Sequence, residues 1–386
     1  MTRFAIAALA LAAMWFYSMN AASAQSLDDL KIQVHGYATQ GFVYSTNNNW
    51  DTTNSTDGSA AWTEAVVNLT AQPVPKLSVG VQARYFLLGN YGNAITLDWA
   101  QADYKVNERF GFRVGKVKTP AGMLNEVQDI DPAYLWVLPP QSIYPMASRN
   151  STLAHYGGVV YGALPLGESF GKLNYRAYGG QRVVSGDDGY LQPFRDEGLT
   201  LPNGLTGRLF GGTLAWSAPI QGLTAGASVD SEALSGGIAA GPYVGTFSTQ
   251  RFYPVYFFTR YERRKAMFAG EYSRIAVRSV VKLPIAPPEY IATDQRSFYA
   301  MASYKLSQKL TAGMYYSSSI DLQVPVSSAR FQKDWNLSAR YDLSPFLYLK
   351  AEQHFIDGTE LGYSTTDNAN LKPNSRMTLL KLGVSF

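Results

Sequence analysis

The chain has 386 residues, of which 33 are basic and 29 acidic, and its formal net charge is +4. It contains no cysteine, which excludes disulfides, thiol chemistry and cysteine-bearing zinc sites. Only 16% of the residues are charged, against about 25% in typical soluble domains, and the small net charge gives no basis for nucleic-acid binding.

Residues 1–24 have the order of a secretory signal peptide. Arg3 supplies a positive charge, an apolar run covers residues 4–17, and the small residues of 22–24 form a cleavage pattern. The run is shorter than the roughly 20 residues of a transmembrane helix, so we expect cleavage rather than anchoring. Residues 25–386 contain no apolar run long enough for such a helix and are expected to form one domain.

Strand patterns follow one another from residue 31 to the end of the chain. In 77–87, for example, Val79, Val81 and Tyr85 alternate with smaller or polar residues, which is the period of a strand with two different faces. The alternation weakens within two runs, 94–106 and 246–261, which indicates bulges. The predicted strands, sixteen in all, are 31–45, 61–72, 77–88, 94–106, 110–117, 155–164, 171–182, 208–217, 223–231, 246–261, 266–279, 295–306, 310–320, 333–343, 346–356 and 376–386.

The connections between these strands alternate in length. Short ones such as 106–109 and 307–309 take turns with longer polar ones such as 183–207 and 232–245. This rhythm is typical of a transmembrane antiparallel β-barrel with short turns on one side and long loops on the other. The sequence therefore predicts an all-β barrel of about 16 strands, closed by pairing the last strand with the first.

The faces of the strands predict what lines the barrel. The apolar parity should face lipid, since a charge facing lipid at mid-depth costs a few kcal/mol. A barrel of this size is too wide for wall side chains to fill, which predicts an aqueous channel. Basic residues outnumber acidic ones among the predicted interior charges, which favours a mild anion preference. These charges are Glu64, Arg84, Arg113, Arg176, Arg340, Asp342, Lys350, Glu352 and Lys381.

The segment 116–156, between the fifth and sixth strands, differs from the other loops. It is rich in proline and partly apolar, so we expect it to pack on the protein rather than extend into water. It either covers the rim or an oligomer contact, or folds inward and narrows the pore. In the second case fixed charges of loop and wall set the selectivity. The candidate loop acids are Glu126, Asp129 and Asp131, and the candidate wall bases are Arg84, Arg113, Arg176 and Arg340.

Two stretches carry a resemblance to a known family. The chain ends on the aromatic Phe386, and residues 112–145 read FRVGKVKTPAGMLNEVQDIDPAYLWVLPPQSIYP. With the strand rhythm, they resemble the Gram-negative outer-membrane porins, although the compact PEFGG-like acidic tip is missing. The resemblance implies a homotrimer among outer-membrane lipids, passive diffusion of small hydrophilic solutes, and a constricting loop after strand five. It also implies that Arg84 and Arg113 belong to a basic pore cluster and that the outer-membrane assembly machinery reads Phe386.

Other functions stay open at this point. A channel specific for a sugar, a carboxylate or phosphate would have the same strand pattern, and so would an adhesin or a structural barrel. An outer-membrane hydrolase needs a nucleophile with a histidine base. The only histidines are His35, His155 and His354, and none lies in a G-x-S-x-G setting. No enzyme activity, metal or cofactor is expected.

Overall fold

The computed structural model describes residues 30–386, and the signal peptide predicted for residues 1–24 lies outside them. The strands form one closed antiparallel sheet. They are β1 (Gln33–Ser45), β2 (Ser59–Val74), β3 (Leu77–Leu88), β4 (Tyr91–Asn107), β5 (Phe110–Lys118), β6 (Ala154–Gly167), β7 (Gly171–Val184), β8 (Leu205–Ser217), β9 (Leu223–Ala240), β10 (Tyr243–Thr249), β11 (Val255–Arg263), β12 (Ala266–Lys282), β13 (Glu289–Lys305), β14 (Leu310–Asp321), β15 (Phe331–Asp342), β16 (Leu347–Gly358) and β17 (Asn374–Ser385). Two short helices, α1 (Arg149–Thr152) and α2 (Gln192–Asp196), lie between strands.

These seventeen segments occupy sixteen positions of the barrel wall. β9 pairs with β11 along its first half and with β10 along its second half, and β12 also pairs with both. β10 and β11 are therefore one wall strand that is interrupted at 250–254. Within the break, the backbone of Phe252 still bonds to Glu232 of β9, with N–O distances of 2.9 and 3.0 Å. The predicted sixteen-strand barrel is confirmed, and the irregularity expected in 246–261 is this break.

One predicted connection is wrong. Residues 232–245 were expected to form a long loop, but β9 continues to Ala240 and a tight turn at 241–242 leads directly into β10. The stretch is rich in Ala, Gly and Ser, whose small side chains carry little alternation. Its two larger residues, Leu234 and Ile238, keep the inward parity and are buried in an apolar cluster with Phe247.

The barrel closes through its first and last strands. β1 and β17 pair in register from Tyr37 with Ser385 to Ser45 with Met377. The backbone of Phe386 adds two more bonds to Gly36, at 3.0 and 3.1 Å. A side chain at Gly36 would lie 2.7 Å from the Phe386 ring and 2.6 Å from the Val66 carbonyl oxygen, so glycine is needed for this close approach.

The two faces of the strands follow the predicted parity. On β17, Leu380, Leu382 and Val384 are exposed on the outer face, and the ring of Phe386 is 67% exposed. Residues of the other parity, such as Leu379 and Lys381, are buried on the inner face. Among residues 30–386 no helix is long and apolar enough to cross a membrane.

The inner face is buried because the connection between β5 and β6 folds into the barrel. Residues 119–153, here called the inner loop, place Trp136 edge-on against the Tyr315 ring of β14, with centroids 5.2 Å apart. Val137 and Leu138 pack with Trp62 and Phe86 in a second apolar cluster. The apolar residues that set this segment apart in the sequence thus form a core between loop and wall.

Candidate functional site

The inner loop is held to the wall along its whole length, beginning near its first residues. The Gly122 amide donates to the Ser228 hydroxyl of β9 at 2.8 Å. The Met123 amide donates to the Glu271 carboxylate of β12 at 2.9 Å. Backbone amides that leave regular structure need acceptors, and wall side chains provide them here.

Glu126 lies between two wall arginines. Its carboxylate is 3.0 Å from Arg113 of β5 and 3.1 Å from Arg176 of β7. Arg113 also bonds to Asp103 of β4 at 2.8 Å. The side chains of Arg176 and Glu126 are 33% and 23% exposed, so this group faces the open part of the lumen. It belongs to the half of the barrel nearer the short turns, since Arg113 and Arg176 lie near the short-turn ends of their strands.

Asp129 and Asp131 lie deeper in the protein and meet lysines, not the arginines expected from the sequence. Asp129 is 2.8 Å from Lys118, and its side chain is fully buried. Asp131 is 3.0 Å from both Lys350 of β16 and Lys381 of β17. The side chains of Asp131, Lys350 and Lys381 are each at most 2% exposed. They form an enclosed ion triad that fixes the loop to the wall.

Two wall carboxylates hold the loop backbone. Glu352 of β16 accepts the amides of Val137 at 2.9 Å and Leu138 at 3.1 Å. Glu271 accepts the hydroxyls of Tyr144 at 2.7 Å and Tyr299 at 2.8 Å, in addition to the Met123 amide. The sequence placed Glu352 in the interior without a role. For Glu271 the sequence pattern indicated only that a carboxylate lies at an inward position of a strand, and gave no sign of its contact with the loop.

The end of the inner loop returns to the strands beside its start. Arg149 of α1 makes a bidentate pair with Asp98 of β4, at 2.9 and 2.8 Å. Arg84 of β3 donates to Glu64 at 2.6 Å and to the Asn150 side chain at 3.2 Å. Arg84 is only 2% exposed, so it faces protein and not the open lumen.

Arg340 has an intermediate position. It bonds to Asp342 of the same strand at 2.8 Å and donates to the loop carbonyls of Pro132 and Tyr134. Its side chain is 17% exposed and that of Asp342 is 40% exposed, so the pair borders water at the short-turn end of β15. The four arginines predicted as the basic wall of the constriction therefore divide: Arg113 and Arg176 share Glu126, whereas Arg84 and Arg340 lie elsewhere on the wall.

The histidines form no open nucleophile site. The Thr119 hydroxyl and His155 Nδ1 are 2.9 Å apart, but both residues are fully buried. His354 lies between Asp334 at 2.8 Å and Glu352 at 3.1 Å, also buried. His35 is exposed near the start of β1. A substrate entering the lumen would reach neither buried histidine.

A cavity of about 520 Å³ lies on the long-loop side of the inner loop. It is bordered by the wall from β9 to β14 and by residues of 185–204 and 359–373. Asp196 of α2 joins these two loops, accepting the hydroxyls of Ser364 at 2.6 Å and Thr366 at 2.7 Å. Burial raises the pKa of Asp196, but these hydrogen bonds outweigh burial and hold it below its usual value.

Comparison with known proteins bears on the fold. No protein-family model and no curated protein sequence matches the chain. Salmonella typhi OmpF, solved in complex with daunomycin, is similar over 94% of this chain and 99% of its own, at 14% identity and a TM-score of 0.57. The chain has the porin fold. An anion-selective porin from Comamonas acidovorans matches over 92% of this chain and 99% of its own, at 13% identity and a TM-score of 0.54. The outer membrane channel DcaP of Acinetobacter baumannii matches with 12% identity and a TM-score of 0.56, over 94% of this chain and 99% of its own.

Proposed function

We propose that this protein is an outer-membrane porin through which small hydrophilic solutes diffuse passively. The observation that carries the proposal is a closed barrel whose outer face is apolar and whose inner face carries charged side chains around a folded-in loop. Such a barrel needs lipid outside and tolerates water inside. The porin fold supports it, as do the names of the similar structures, which describe channels.

The proposed constriction is formed by Glu126, Arg113 and Arg176. They are the predicted loop acid and wall bases that form ion pairs with each other and whose side chains are at least 23% exposed. Arg340 with Asp342 borders the same end of the barrel. Arg84, Asp129 and Asp131 have a different proposed role, which is to anchor the inner loop.

The ion selectivity that we propose is weaker than the count of interior charges suggested. Arg113 and Arg176 face two carboxylates, Asp103 and Glu126, and Arg340 faces Asp342. Paired charges of opposite sign largely cancel in their effect on a passing ion. We expect a reversal potential near zero in a salt gradient across a planar bilayer; a large value of either sign would contradict this balance.

Uptake by liposomes tests the function itself. For a general porin, vesicles that contain the refolded protein should swell in sugars, amino acids and small carboxylates, at rates that fall with solute size. Uptake restricted to one of these solute classes would instead support the substrate-specific channel. Absence of swelling with every solute would contradict the proposal.

Assembly as a homotrimer is part of the proposal. One of the similar structures, an in-vitro folded OmpT of Vibrio cholerae with 12% identity and a TM-score of 0.50, is described as a trimer form. The molar mass of the protein in detergent, measured by light scattering and corrected for bound detergent, should equal three chains. A mass of one chain would contradict this part.

We also propose that the signal peptide is cleaved after residue 24. The mass of the exported chain tests this.

Phe386 is proposed to be read by the outer-membrane assembly machinery. Its ring is 67% exposed at the short-turn end of the barrel, and its backbone completes the pairing with β1. The variant Phe386→Ala should insert poorly into the outer membrane in cells, yet refold in detergent like the unaltered protein, because the backbone bonds of residue 386 to Gly36 do not depend on the ring. Phe346→Ala is the matched control, since that ring is 59% exposed in a short turn beside β17. Equal insertion of both variants would argue against the role of Phe386.

A further inference from the structure

The cavity on the long-loop side is bordered by more carboxyl groups than guanidinium groups. Two guanidinium groups border it, those of Arg182 and Arg195. Arg182 forms a salt bridge with Glu232 at 2.7 Å. Arg195 donates to backbone carbonyls and to Gln192, and makes no salt bridge among residues 30–386. The carboxylates that border the cavity number six: Asp51, Asp196, Asp230, Glu232, Asp321 and Glu360. Five of them therefore lack a cation partner within the described chain, against one unpaired guanidinium.

Asp230 is the most enclosed of these acids. It lies on β9 and is 2% exposed. Its Oδ1 accepts the Tyr178 hydroxyl, and its Oδ2 accepts no hydrogen bond from residues 30–386. A buried carboxylate is stable only when its charge is compensated or removed by a proton. Asp230 thus presents an unused acceptor atom to the cavity.

Glu360 and Asp321 form a second acidic group. Glu360 Oε1 accepts from Gln295 and Ser319, both at 3.0 Å, whereas its Oε2 is buried without a partner in the described chain. Burial raises the pKa of Glu360 to about 7. Asp321, at the end of β14, uses Oδ1 for two backbone amides and is 8% exposed. Asp321 is four wall positions away from Asp230, which lies on β9.

Part of the cavity wall beside the two acidic groups is an apolar patch. It is formed by Leu234, Phe247, Phe252, Ile275, Val277 and Ile291, and the polar residues Ser273, Thr293 and Gln295 also line the wall. Such a surface favours a hydrocarbon body and gives nothing to a hydrated metal ion. Among residues 30–386 there is also no group of three or more acidic or histidine side chains that could hold a metal.

We infer that this cavity binds an organic diammonium ion, with one ammonium group at Asp230, the other at Glu360 and Asp321, and a hydrocarbon spacer against the apolar patch. One ammonium would donate to Asp230 Oδ2 and the other to Asp321 Oδ2, since neither oxygen accepts a hydrogen bond from residues 30–386. The carboxyl group of Glu360 belongs to the second end, and charge-assisted bonds of this kind are the strong ones. The inference concerns a binding site only, and it holds whether or not the barrel conducts.

Calorimetry on the folded full-length protein in detergent tests the site with three probes of equal length. They are the eight-carbon terminal diamine, the corresponding diol and the corresponding dicarboxylate, suberate. We expect the diamine to bind, the diol to bind at least about tenfold more weakly, and suberate to show no binding, because only the diamine matches both ends and the spacer. Equal affinity for diamine and diol, stronger binding of suberate, or no heat with any probe would each overturn the inference.

Variants locate the binding. Asp230→Asn and Glu360→Gln keep the shape of the side chain and should each weaken diamine binding about tenfold. Asp357→Asn is the control, since Asp357 is 57% exposed and lies outside the cavity. Unchanged affinity in both cavity variants would place the diamine elsewhere and overturn the assignment. The probe series on the unaltered protein remains decisive if a variant does not fold, and its failure would leave the proposed channel untouched, because no transport is measured.

Discussion

Replacing residues 123–138 with a short glycine–serine linker is expected to raise the single-channel conductance several-fold. This segment carries the apolar contacts to Tyr315 and Trp62 and the carboxylates that reach the wall on both sides of the lumen. Without it, a sixteen-strand barrel is wide enough to leave an open aqueous channel. The measurement is the distribution of conductance steps in a planar bilayer.

The matched control is the same linker in place of residues 284–288, the exposed part of the connection between β12 and β13. Its conductance should equal that of the unaltered protein. If the replacement of 123–138 leaves the conductance unchanged as well, the inner loop does not limit the current, and the proposed constriction is wrong.

Asp131→Ala is expected to lower the free energy of unfolding by about 3–5 kcal/mol, the usual cost of breaking a buried ion pair. The substitution leaves the ammonium groups of Lys350 and Lys381 enclosed without a carboxylate, and both residues are at most 1% exposed. The free energy of unfolding is measured by titrating the protein in lipid vesicles with denaturant. The folded fraction at each concentration is read from its mobility on a gel.

Two further variants distinguish the effect of breaking the buried triad from the effect of removing any charged side chain. Asp357→Ala removes the exposed partner of Lys333 and should cost less than about 1 kcal/mol. The triple variant Asp131→Asn, Lys350→Met and Lys381→Met removes all three charges and should recover most of the loss, because apolar replacement of a buried ion group is often neutral. A loss for Asp131→Ala as small as that for Asp357→Ala would contradict the enclosed triad.

The parity of the strands was predictable because lipid imposes it. Residues such as Leu382 and Trp335 alternate with inward polar residues, and each strand carries this signal locally. The strand β9 was predicted too short for the same reason. The Ala, Gly and Ser residues of 232–240 show no alternation between apolar and polar side chains.

The partners of the inner loop were not predictable, because they are distant in sequence. Asp131 binds Lys350 and Lys381, which follow it by 219 and 250 residues. Glu271 contacts Tyr144 at a separation of 127 residues. Periodicity gives the facing of a side chain but not its depth or its partner. For that reason the four candidate wall arginines have different partners in the structure.

We propose that solutes pass beside Glu126. Because the described chain and the rest of the sequence contain no cysteine, Glu126→Cys introduces a single thiol. The measurement is single-channel current before and after treatment with a bulky methanethiosulfonate reagent. We expect the current through Glu126→Cys to fall sharply after modification, while that of the unaltered protein stays the same. Full modification of the thiol, verified by mass, with no change in current would contradict it.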